Sequence, residues 1–158
     1  VCSSDLEELA CLGVKTIIGY GAVGGLTADL AQGTQIVIDN ALLTDGTSRS
    51  YTDGPVRADT DLLDLAGSIT RVTGATVDAI YRETPELIDD LRSQGAQAIN
   101  LEVTPFYAAG KTCGVRCLWL GYVSDVLLDD WQDWFEDRSA WNETATRNCV
   151  DLVTAISR

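Results

Sequence analysis

Short runs of β-branched and other apolar residues recur along this chain, and segments of helical periodicity separate them. Residues 14–20 (VKTIIGY), 35–39 (QIVID), 98–102 (AINLE) and 115–124 (VRCLWLGYVS) read as strands, and residues 76–81 as a further extended stretch. Residues 7–12, stopped by Gly13, read as a helix, as do residues 59–72, where Leu62, Leu63, Leu65, Ala66, Ile69 and Val72 fall near helical spacing behind Asp59 and Asp61. Residues 85–94, opened by Pro85 and stopped by Gly95, residues 104–111, and a terminal segment marked by Ala145, Cys149, Leu152, Val153 and Ile156 complete the helices. Apolar strands need cover on both faces. The alternation therefore predicts an α/β three-layer sandwich with a mixed, largely parallel central sheet.

A chain of 158 residues, 46% apolar and 22% charged, is sized for one domain, and no internal repeat or linker divides it. Eleven Lys and Arg against 24 Asp and Glu leave a net charge of -13, which opposes approach to nucleic acid or an anionic membrane. Histidine is absent, so a Ser-His-Asp triad, a His-ligated zinc and an imidazole base are all excluded within the chain. Cys2, Cys11, Cys113, Cys117 and Cys149 show no CxxC pairing and read as reduced, buried structural thiols rather than metal ligands. No run of apolar residues is long enough to span a membrane, and a soluble, cytoplasmic protein without metal or organic cofactor is expected.

The opening Val1, Cys2, Ser3, Ser4, Asp5, Leu6 resembles the in-frame translation of a short-read sequencing adapter, and Met is absent throughout. Residues 1–6 are accordingly set aside from the fold, the alternative being that Ser3, Ser4 or Asp5 caps a genuine first helix. Residues 40–55 form a polar, turn-rich excursion with Asp45-Gly46 and Asp53-Gly54 as turn signals. Trp119, Trp131, Trp134 and Trp141 read as core or interface anchors, and Asp129, Asp130, Asp133, Glu136 and Asp137 as a solvated acidic face.

Three segments place polar or glycine-rich groups where strands end: GYGAVGGL (residues 19–26), INLEV (99–103) and YVSDVL (122–127). Ligands bind at the C-terminal edge of open α/β sheets, so Glu102, Ser124 and Asp125 are expected to converge on one cleft with the glycine turn at residues 21–26. Taken singly, a strand-end Asp also serves as a helix cap, and a glycine turn also serves close packing.

Together, and with EELACLGVKTII (7–18), DGTSRSY (45–51) and TVDAIYRET (76–84), these segments resemble the nucleoside phosphorylase superfamily over residues 7–134. The resemblance implies a phosphorylase-like fold that cleaves the N-glycosidic bond of a nucleoside, with phosphate as co-substrate and a homo-oligomer as the assembly. It implies that Glu102 grips the ribose hydroxyls beside Leu101, which replaces the family's usual Met, and that Asp125, after Ser124, protonates the departing base. Ile80 and Tyr81 match residues lining the base pocket. The amides of Gly21, Ala22, Gly24 and Gly25 match the phosphate loop.

Two departures weaken the phosphate site. Gly19 and Ala22 stand where the family carries an Arg and a Ser or Thr. The resemblance also implies that residues 7–158 are the C-terminal part of a single domain whose first strands precede them, and that such a fragment alone is inactive. A hydrolytic nucleosidase of the same fold, or a non-catalytic nucleoside-binding protein, are the alternative functions.

Overall fold

The computed structural model describes residues 3–128 and 138–157. The acidic run from Asp129 to Asp137, with Trp131 and Trp134, lies outside the described residues.

The elements alternate as α1 (Ser3–Cys11), β1 (Thr16–Gly25), β2 (Gln35–Leu42), β3 (Val56–Arg57), α2 (Thr60–Leu65), β4 (Thr70–Thr76), α3 (Pro85–Ser93), β5 (Ala98–Asn100), α4 (Val103–Cys113), β6 (Arg116–Val126) and α5 (Arg138–Ile156). The strands form one mixed sheet in the order β3-β2-β4-β5-β1-β6, and its two longest ladders, β1 with β6 and β2 with β4, are parallel. The α/β architecture and the mixed sheet are those expected from the sequence. One feature goes beyond them: β2 also pairs antiparallel with β6, so β2, β4, β5, β1 and β6 close into a ring.

Helix α4 is the most deeply set helix, with Val103 to Gly110 buried throughout. Its Phe106 meets Trp119 of β6 edge-on at 5.7 Å. The Tyr107 hydroxyl donates to the Ile38 carbonyl of β2 at 2.5 Å and accepts from the Trp119 amide at 2.9 Å. A buried phenol bonded on both sides meets the demand that interior polar groups be paired, and it ties β2 to β6 through the helix. Burial pushes the Tyr107 proton affinity up. On the same helix flank, the Cys117 thiol is pushed up to about 12 by burial, the behaviour of a structural thiol, whereas Cys11 is exposed.

Several boundaries differ from the sequence reading. The helix expected over residues 59–72 ends at Leu65, because Gly67 takes φ of 64°, a left-handed turn, and the following Thr70, Val72 and Thr73 enter β4. Of the stretch expected to be extended over residues 76–81, Thr76 ends β4 and Ala79 keeps extended dihedrals, but no strand continues, and Ile80–Arg82 form a short 3-10 turn. The first helix starts at Ser3 rather than Glu7, and Leu6 is completely buried in the main core, so that residue belongs to the fold.

The largest difference concerns the glycines. Residues 21–25 are not a turn; they continue β1, which stays paired with β6 as far as Gly25 against Val126. The reason is packing. A Cβ at Gly19 would lie 2.4 Å from Trp119 Cε3, and one at Gly21 would lie 2.9 Å from Trp119 Cζ2. The glycines thus let the indole lie against the strand. The chain leaves the sheet only after Gly25, through residues 26–34.

Candidate active site

Asp125 sits near the end of β6, where the parallel ladder with β1 breaks its step. Val23 pairs with Val123 and Gly24 pairs with Asp125, leaving Ser124 as an extra residue on β6. Such a bulge bends a strand and re-aims its side chains. The Ser124 hydroxyl lies 2.5 Å from Asp125 Oδ1 and 3.2 Å from the Val23 carbonyl. The missing side chain of Gly24 keeps space beside the acid, since a Cβ there would be 3.7 Å from Asp125 Oδ2 and only 3.0 Å from Ile99 Cγ2.

Ile99 belongs to β5, which pairs with β1 at Gly24, so the register links Asp125 through Gly24 to the strand that leads into Glu102. Strand β5 runs antiparallel to β1, not parallel as an all-parallel edge would require. Its exit therefore turns back along β1, and Asn100 fixes that exit. Asn100 Oδ1 accepts from the amides of Glu102 at 3.1 Å and Val103 at 3.0 Å, which caps α4 with a side chain outside it. The Glu102 carboxylate takes no part in capping. Asn100 Nδ2 is buried without a hydrogen-bond partner among the described residues.

The remaining site residues are less enclosed. Leu101 is 41% exposed, Ile80 53% and Tyr81 96%, so neither Ile80 nor Tyr81 is held in a closed pocket by the described residues. Gly21, Ala22, Gly24 and Gly25 lie within β1 rather than in the loop the resemblance implies. Successive amides of a strand point to opposite edges, whereas a nest requires them to converge. An open hollow of about 590 Å³ lies against α1, lined by Ser4, Glu7, Glu8, Cys11 and Leu12.

The sequence reading missed Glu83. It follows the 3-10 turn and precedes Thr84, whose hydroxyl caps α3 by accepting from the Leu87 amide at 3.3 Å. Helix α3 is fastened to the ends of β1 and β6 by Arg92, whose Nε donates to the Leu26 carbonyl at 2.8 Å and whose Nη2 donates to the Leu127 carbonyl. Glu83 is half-buried, and its proton affinity is raised first by that burial and then by the negative charge of Asp125.

A raised glutamate has a defined effect on stability. The folded state holds the Glu83 proton more tightly than the unfolded chain does, at about 4.3 for an ordinary glutamate. Its contribution is fully present below that value and is lost as pH rises through the folded one. Glu83→Gln is expected to flatten this part of the profile and to raise the thermal midpoint at neutral pH relative to acid pH; an unchanged profile in thermal melts would show that Glu83 is solvated.

A family model, the phosphorylase superfamily, matches residues 3–158. The chain belongs to the phosphorylase superfamily. A guanosine phosphorylase of Halorubrum lacusprofundi is 32% identical over 168 residues, covering 96% of this chain and 70% of that protein. Among solved structures, a P. knowlesi homologue of the P. falciparum purine nucleoside phosphorylase superposes with a TM-score of 0.83 at 20% identity, over 96% of this chain and 66% of the other. AMP nucleosidase from Bacteroides thetaiotaomicron gives 0.81 at 19% identity, over 98% and 66%. The chain spans about two thirds of the length of its relatives, from 62% to 70% of the curated ones. Guanosine phosphorylase and purine nucleoside phosphorylases are thus among the proteins this chain is similar to, and among the described residues no helix is long and apolar enough to cross a membrane.

Proposed function

We propose that the protein cleaves the N-glycosidic bond of a purine nucleoside and passes the sugar to phosphate. The observation that carries this reading is the Asp125 carboxyl, bonded by Ser124 beside Gly24 and joined through β5 to the segment that ends in Glu102. Heterolysis of the C1′–N bond leaves the electron pair on the base and positive charge on the sugar. A carboxylic acid at the base end lowers the barrier by giving its proton to the departing nitrogen. A carboxylate at the sugar end accepts from the ribose hydroxyls, orients the ring and offsets the cationic charge. Asp125 and Glu102 are assigned these two roles, and phosphate attacks C1′ from the opposite side to the base.

Phosphate as acceptor is supported by the relative named guanosine phosphorylase. Water as acceptor has its own support. Gly19 and Ala22 offer no side-chain donor to an anion, residues 21–25 form a strand rather than a nest, and an AMP nucleosidase shares the fold. Base release from guanosine, inosine and adenosine, measured with and without inorganic phosphate, tests the reading. Release that needs phosphate and yields a sugar phosphate is the expected result. Release at the same rate without phosphate would establish hydrolysis, and no release from any nucleoside would overturn both.

A further inference from the structure

Two units of the fold are built alike and lie side by side. Helix α1 passes through a glycine turn into β1, and α4 passes through a glycine turn into β6, with Gly13 and Gly114 at left-handed φ of 93° and 65°. The two strands are parallel neighbours that start together, Thr16 against Arg116, and the Arg116 amide donates to the Lys15 carbonyl at 3.0 Å. The helices that feed them therefore end at the same edge of the sheet. Each ends on a cysteine, Cys11 in α1 and Cys113 in α4.

Side chains tie the two helices together. The Tyr51 hydroxyl donates to Glu7 Oε1 of α1 at 2.5 Å, and the Tyr51 carbonyl accepts from the Thr112 hydroxyl of α4 at 3.3 Å. Glu7 and Cys11 stand one helical turn apart on α1, and Thr112 adjoins Cys113 on α4. Cys11 and Cys113 thus face the same contact between α1 and α4, and both Glu7 and Cys11 act electrostatically on the Cys113 thiol. The two thiols differ in access. Cys11 is exposed and opens on the hollow beside α1, whereas Cys113 is part-buried against the main core. Burial first, then the charge of Glu7 and then Cys11, raise the proton affinity of Cys113. A thiol held in that way waits for a sulfur brought close to it, and the exposed Cys11 is the one that meets a reagent from solution.

We propose that Cys11 and Cys113 form a redox site, a dithiol that a small-molecule disulfide converts into a bond pinning α1 to α4. The Cys11 thiolate attacks one sulfur of the reagent, whose S–S bond breaks. Cys11 is left in a mixed disulfide, and the other half departs as a thiol with the proton that Cys11 gave up. The Cys113 thiolate then attacks Cys11 Sγ, the mixed disulfide breaks, and the second half departs with the Cys113 proton. The two cysteines lose two electrons and two protons, and one disulfide is reduced to two thiols. The new bond closes a long loop and so restricts the unfolded chain. It stands at the start of the β1–β6 ladder, the end opposite Gly24 and Asp125, and acts on stability rather than on the chemistry there.

The test uses the full 158-residue chain, native and unfolded in guanidinium chloride, treated with oxidised glutathione and mapped by mass spectrometry of non-reduced peptides. The native chain is expected to give the Cys11–Cys113 cross-link as its main product, and the unfolded chain to show no preference for that pair. Cys113→Ser and Cys113→Ala are expected to leave glutathione on Cys11, whereas Cys149→Ser, which removes a thiol outside the pair, is expected to cross-link as the wild type does. The cross-linked chain is expected to melt roughly 5–15 °C above the reduced one, the range for a bridged long loop in a domain of this size. Glutathione that stays on Cys11 of the native wild type, or bridging of Cys11 to Cys2, Cys117 or Cys149 instead, would overturn the proposal. So would an equal preference for the pair in guanidinium chloride, or a cross-linked chain that melts no higher than the reduced one.

Discussion

Asp125→Asn is expected to lower base release by about 10²–10⁴-fold, the range for removal of a positioned general acid. The amide is nearly the shape of the acid and can still meet the Ser124 hydroxyl, so the loss reports proton donation rather than collapse of the bulge. A control separates the two. A nucleoside whose purine already carries a positive charge from N-alkylation needs no proton to depart, and the variant should cleave it nearly as well as the wild type. Equal losses on ordinary and cationic substrates would remove Asp125 from the role of acid and leave it as a structural residue. Glu102→Gln makes the complementary case, because its effect should be similar on both substrates if the carboxylate serves the sugar.

The sequence made much of this site readable because strand ends carry a chemical signature. Asp125 and Ser124 were legible as polar residues closing an apolar run, and Glu102 as the residue leaving a short buried strand. The bulge was not legible. It is a mismatch between two paired strands, and nothing in YVSD (122–125) distinguishes a strand with one residue too many from a regular one. The antiparallel course of β5 was hidden for a related reason, since residues 98–100 pair with β4 in parallel and with β1 in antiparallel fashion, and apolar runs do not encode direction. Glu83 escaped notice because its importance comes from a neighbour on another element, the Asp125 charge, rather than from any local pattern.

The glycine-rich stretch misled for an instructive reason. Glycine permits both a tight turn and a close approach, and residues 19–25 use the second property. The partner that demands it, Trp119, lies on a strand far away in sequence and close in space, so only the pairing of Gly19 with Trp119 reveals why a side chain is excluded there.

That pairing makes a strong prediction about stability, and it bears on phosphate. Gly19→Arg would put into the chain the basic group that the family resemblance implies at this position, yet it is expected to cost about 1–3 kcal/mol by overpacking and to bring no gain in phosphate affinity. The Cβ alone would lie 2.4 Å from the indole, and the strand has no turn from which the guanidinium could reach out as a loop residue does. Truncating the indole has a larger effect. Trp119 is 2% exposed, packs edge-on against Phe106 of α4 and rests on β1, so Trp119→Ala is expected to cost about 3–5 kcal/mol, a large part of the stability of a domain this size. Trp119→Phe should be milder, because it keeps an aromatic ring and removes an indole N–H that is buried without a partner among the described residues. Because residues 19 and 119 are in contact, their variants should not add: in the Trp119→Ala background, Gly19→Arg should lose most of its cost. Denaturant unfolding of the two single variants and the double variant measures this coupling. Additive costs would mean that the indole does not lie on Gly19, and the packing reason for glycine in β1 would fall with it.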